Sequence, residues 1–156
     1  MNLKTLTLTL VAVVTTIVPA AVKADTPGRH PAYLHARSDL RAAQYLMRVH
    51  DEPNVTRRLV EADHEVEAAI QEIDRAAIID RKDVDDHPRV DPNLDRRGRF
   101  RRAIELLREA RADLGREEDN GRARGWRDAA YRHIDEALNH MHRAAVDQHW
   151  DHEFGY

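Results

Sequence analysis

Four stretches in which apolar residues recur at steps of three and four, the lack of any sustained period-two alternation, and Pro or Gly near the stretch boundaries predict an all-α fold. The expected form is an antiparallel up-down four-helix bundle behind an N-terminal leader. Met1 to Ala24 has the three parts of a secretory signal peptide in order. Lys4 supplies the positive start, Leu6 to Val18 the apolar run, and Val22-Lys23-Ala24 the compact cleavage site. The apolar run is shorter than the roughly 20 residues a membrane span needs, so cleavage and export are expected, leaving residues 25–156 as one domain.

The first helix is expected over residues 31–51. It opens at His30-Pro31, with proline in the first helical position, and turns Tyr33, Ala36, Leu40, Ala43 and Met47 inward. The second, over 54–80, takes Asn54 as its cap and carries the stripe Val55, Leu59, Ala62, Val66, Ala69, Ile73, Ala76, Asp80, which only the last position breaks. Asp91-Pro92 reads as the start of the third, over 92–114, with Phe100, Ala103, Leu107, Ala110 and Leu114 inside, Gly98 weakening its first turns and Gly115 ending it. The fourth, over 123–147, buries Ala130, Ile134, Ala137, Met141 and Ala145, with Trp126 expected to close that end of the core. The connection from Arg81 to Val90 is the longest of the three. Neighbours in sequence are expected to be neighbours in space, which would put the start of helix one beside the end of helix four.

An internal match suggests two duplicated helical hairpins. Ala68-Ala69-Ile70, Ile73-Asp74 and Ala76 align with Ala129-Ala130-Tyr131, Ile134-Asp135 and Ala137. More loosely, Tyr33, Ala36, Leu40, Arg41 and Ala43 align with Phe100, Ala103, Leu107, Arg108 and Ala110. Shared helix composition gives the same pattern without duplication. The alanines on these seams allow close helix approach and leave little room for a large internal ligand.

Composition excludes several classes of chemistry. With no cysteine there are no disulfides, thiolate nucleophiles, iron–sulfur ligands or c-type haem attachments. The leader's only charges are Lys4 and Lys23, so the net charge of −3 becomes −5 on cleavage; that, with both signs interspersed, argues against nucleic acid as a partner. Ser38 is the only serine and lies mid-helix beside Asp39, so no hydrolytic constellation stands out and an enzyme is not expected.

Ten histidines are the compositional excess. In the expected topology His30 and His35 approach His140, His142, His149 and His152. His30, His35, His140, His142 and His149, helped by Asp147 or Asp151, could then hold zinc, copper or nickel, since imidazoles are common ligands for these ions. The competing explanation is that they are surface residues covering a bundle end. Glu61-Ala62-Asp63-His64 is the only Glu-x-x-His string that a di-iron bundle could use, and His64 falls opposite the Ala62 and Val66 stripe. A b-type haem held by Met47 or Met141 with His50 or His133 is geometrically conceivable, although methionine at such positions usually packs. The acidic connection Asp80 to Pro88 lacks the spacing and central glycine of a calcium loop.

The string His30 to Ala43 (HPAYLHARSDLRAA), with Asp85-Asp86-His87-Pro88, Glu117-Glu118-Asp119-Asn120 and His133-Ile134-Asp135-Glu136-Ala137, resembles a group of small exported bacterial proteins without an assigned activity. The resemblance covers most of the mature chain and implies compartment and fold, but no site residues. The functional expectation is an exported, non-enzymatic binding or interaction protein, stress-protective in one version, with a protein partner in the periplasm and no membrane span once the leader is gone. A histidine-based metal binder is the alternative, and a haem or di-iron bundle the second alternative.

Overall fold

The computed structural model describes residues 31–49, 52–79, 90–91, 93–116, 121 and 123–154. It is an all-α four-helix bundle: α1 (Pro31–Met47), α2 (Pro53–Ile79), α3 (Arg96–Leu114) and α4 (Arg124–Asp147), followed by the 3-10 turn Asp151–Glu153. The expected leader, His30, His50 and residues 80–89 with His87 lie outside the described residues. No described helix is long and apolar enough to cross a membrane.

The expected inward stripes are the core. Leu40, Val66, Ile73, Leu107, Leu114, Ile134 and Met141 are fully buried, interleaved with the buried alanines of all four helices. Ile70, Ile104, Leu106 and Ala144 join them on the flanks of the same stripes. Burying one large aliphatic side chain contributes about 1.5–3 kcal/mol.

Helix starts differ from expectation for local reasons. Pro53, whose missing N–H is harmless in the first turn, begins α2, and the Glu52 carbonyl accepts the Thr56 N–H at 2.7 Å. Asn54 is therefore inside the helix and not its cap. At α3, Asp91 forms a local turn by accepting the Asn93 N–H at 2.9 Å, and the true cap is Asp95, which accepts from Gly98 N–H at 2.6 Å. Gly98 suits this position, since a Cβ there would lie 2.8 Å from the capping oxygen. Trp126 does not close the core: it is partly exposed and lies under the Arg75 guanidinium at 5.2 Å.

The neighbour order is the larger departure. α1 packs on α2 and α3, and α4 packs on the same two; α1 and α4 face each other across the diagonal, as do α2 and α3. Arg37 meets Asp74 and Arg48 meets Asp63, so α1 and α2 run antiparallel. The pairs Glu65–His133 and Arg58–Asp147 set α2 against α4 in the same sense, and Arg111–Asp135 with Arg97–Glu153 set α3 against the last helix and its tail. Every touching pair is antiparallel. The start of α1 therefore shares an end with the start of α4, and the start of α3 shares the other end with the start of α2. Ile79 and Arg96 therefore sit at opposite ends of the bundle. The 16 residues between them can span about 50 Å, against about 40 Å for α2. Val90, near the end of that path, packs partly against the core. Exchanging α1 with α3 and α2 with α4 maps this packing onto itself, a pattern compatible with two hairpins.

α4 ends in a Schellman arrangement, in which the N–H of Trp150 reaches the Ala145 carbonyl at 2.8 Å and that of His149 reaches Val146 at 2.9 Å. His149 has φ 58, a conformation that glycine adopts more easily. His149→Gly is accordingly expected to stabilise the protein by about 0.5–1 kcal/mol in chemical denaturation. Loss of stability would mean the imidazole makes a contact that outweighs the backbone strain.

Candidate functional site

Among the described residues the proposed histidine cluster is not brought together. Arg37–Asp74 and Arg75 over Trp126 place His35 level with the first turn of α4, whereas His140 lies near its other end, about 20 Å away along the axis. His30 is outside the described residues. His140 turns toward α2, with Nδ1 3.0 Å from Glu61 Oε2, while His142, two positions on, sits on the flank toward α3. His149 is exposed and serves the turn described above, and Asp151 opens the 3-10 turn. Among the described residues no group of three or more His, Asp or Glu side chains is arranged to hold a metal ion. The expected approach of His35 to His140 rested on the assumed neighbour order, and the diagonal placement of α1 and α4 removes it.

Of the residues proposed for haem, His50 lies outside the described residues, and the described ones leave no room for that group. Met47 and Met141 are buried and border a void of about 10 Å³ shared with Leu46, Leu59, Phe100 and Ala103, room for at most one water. His133 is on the outer α2–α4 seam, its Nδ1 2.7 Å from Glu65 Oε2. His64 is exposed on the outer face of α2, so the Glu61–His64 string points two ways and offers no shared di-iron site.

A wide opening lies on the outside, between α1 and α2. It measures about 620 Å³ and is lined by stripes of identical spacing: Arg41, Gln44, Tyr45 and Arg48 from α1, and Glu67, Ile70, Gln71 and Asp74 from α2, with Val90 at one side. The spacing i, i+3, i+4, i+7 puts each set on one face. Most of the polar lining is already engaged. Gln44 Nε2 donates to Glu67 at 2.9 Å, Arg48 Nε lies 3.3 Å from both Asp63 oxygens, and buried Arg37 holds Asp74. Tyr45, by contrast, is the most exposed large hydrophobic side chain described, at 57%.

Electrostatics on the two α2 seams can be read from two carboxyls. The hydrogen bond from Arg58 holds Glu61 below its usual value of 4.5, with the charges of Arg58 and His140 adding to it against desolvation. The hydrogen bond from Gln44 does the same for Glu67. A carboxyl lowered in the folded state contributes stability that is fully present above the unfolded value and is lost as pH falls through the folded one. Stability is therefore expected to decline below about pH 4.5, and Glu61→Gln with Glu67→Gln to flatten that decline in urea titrations. An unchanged acid limb in the double variant would refute this assignment.

Comparison with protein-family models, curated proteins and solved structures finds no match.

Proposed function

We propose that the protein is an exported, non-enzymatic interaction module that binds a protein partner through the outer α1–α2 face. The observation that carries this reading is Tyr45: the most exposed large hydrophobic side chain described stands on the wall of the opening between α1 and α2, above a closely packed core. Exposed aromatic side chains beside a concave surface are favoured anchors in protein interfaces. The surrounding Arg41, Arg48, Glu67 and Asp74 would form a polar rim that orients a partner. Among the described residues the alanine seams pack closely, and the space beside Met47 and Met141 is about 10 Å³. Export follows from the leader, and without disulfides the bundle would rely on helix packing alone in that compartment.

The test is site-specific photo-crosslinking in cells that export the full chain. A crosslinking amino acid at position 45 is expected to capture one discrete partner, whereas the same group at exposed Glu105 on α3 captures none. Equal capture at both positions, or none at 45, would count against the α1–α2 face.

A further inference from the structure

We propose that the partner of the outer α1–α2 face is a second copy of the chain, docked face to face about a two-fold axis parallel to the helices; this rests on the reading of that face as an interaction surface. The face is divided by sign of charge. Its α1 wall, Arg41, Gln44, Tyr45 and Arg48, carries two cations and no acid. Its α2 wall, Glu67, Ile70, Gln71 and Asp74, carries two acids and no cation. A partner seated on both walls at once needs the opposite division, acidic beside basic at the spacing of two packed helices. A second copy has that division by construction. Rotation about an axis parallel to the helices lays the α1 of each copy over the α2 of the other, so basic meets acidic twice, as a self-complementary interface requires. The perpendicular axis in the same plane would set each α1 wall over the other α1 wall and each α2 wall over the other α2 wall, like charge on like.

That rotation leaves height along the bundle unchanged, so the contacts within one chain set the register between two. Gln44 meets Glu67 and Arg37 meets Asp74 across the seam. Arg41, between these two rungs, would therefore come over Gln71 of the second copy, with that copy's Glu67 and Asp74 about one turn to either side. Arg37–Asp74 and Arg48–Asp63 are already paired within each chain, so these charges choose the orientation while apolar side chains supply the buried area. Tyr45 near the end of α1, Val49 just beyond it, and Val60 on the face of α2 that carries Glu67 and Gln71 are all exposed at the Arg48–Asp63 end of the seam. The 17 residues of α1 extend about 25 Å, and two packed helices are about 20 Å wide, which gives roughly 500 Å² per copy. About 1,000 Å² in total is at the low end for specific association, so a reversible dimer with Kd on the order of 100 µM is expected.

Sedimentation equilibrium of the purified protein reads the association. The average mass is expected to rise from that of the monomer at about 5 µM toward that of the dimer at about 500 µM. Tyr45→Asp, Arg41→Glu and Glu67→Arg should each weaken dimerisation about tenfold, the last two by placing like charges together at both symmetry-related contacts. Mixing Arg41→Glu with Glu67→Arg should restore it, because both contacts of the mixed dimer then pair opposite charges. A substitution that merely damaged the fold would give no such rescue. All three positions are at least partly exposed, so the variants are expected to keep the helical circular dichroism of the wild type. The proposal is overturned if the wild type stays monomeric throughout, if Tyr45→Asp dimerises as the wild type does, or if the mixture stays monomeric. In cells that express the full chain, a crosslinking amino acid at position 45 should give an adduct of twice the chain's mass. An adduct with a different protein and none of doubled mass overturns the dimer but leaves the face as an interaction surface, whereas no adduct at all removes both.

Discussion

Replacing Phe100 with alanine is expected to lower stability by about 3–5 kcal/mol, a loss of roughly 10–15 °C in melting temperature. Phe100 is 4% exposed and joins the start of α3 to the C-terminal tail, with ring centroids 5.7 Å from Trp150 and 5.4 Å from Phe154. Arg96 and Arg97 both lie over Trp150, at 5.4 and 5.2 Å, and Arg108 Nη2 donates to the Phe154 carbonyl at 3.0 Å. Removing the ring therefore takes away the surface on which the tail folds back, and adds to a void that already exists beside Met47 and Met141. Thermal denaturation followed by circular dichroism reads the loss. Trp150 fluorescence should shift toward that of a solvated indole in the same variant. A melting temperature within a few degrees of wild type would show that the tail is not integral to the core.

The second large effect is at Asp74. Arg37 is 2% exposed, and its Nε and Nη2 both bond to Asp74, whereas its Nη1 has no hydrogen-bond partner among the described residues. Asp74→Ala would strand a buried guanidinium, an effect that reaches about 3–5 kcal/mol for fully buried pairs. With the Asp74 side chain 27% exposed, about 3 kcal/mol is expected. Arg37→Met should cost far less, within about 1 kcal/mol, because it removes the charge together with its need for a partner. Equilibrium urea unfolding of the two variants side by side makes the comparison. Equal losses would mean that Arg37 acts through its packed carbon stem and not through its charge.

The stripes made all four helices and their buried faces legible. A period of three and four fixes which side of a helix is apolar, and every described position of the expected stripes, from Tyr33 in α1 to Ala145 in α4, is buried, Trp126 beyond the stripe being the exception. The same stripes say nothing about which helix covers which, because one alanine-rich face fits another in several orders. The order depends on the connection after Ile79, whose length allows a return along the bundle but does not demand it. The histidines were misplaced for this reason alone: once α4 lies on α2 and not on α1, His133 and His140 meet Glu65 and Glu61, and His35 is left at the other end. His149 gave no local signal, since the left-handed turn it occupies usually calls for glycine. Tyr45 was equally silent, its exposure depending on the α1–α2 face that Val90 only borders.

The central claim is that the interior is filled and that what the protein binds, it binds on the outside. Native mass spectrometry of the protein recovered from cells that express the full chain tests this directly. The expected species has the mass of the polypeptide alone, with no metal ion or organic cofactor retained at one-to-one stoichiometry. A retained zinc, copper, nickel, iron or haem surviving gentle desalting would contradict it and return the histidines to the centre of the account.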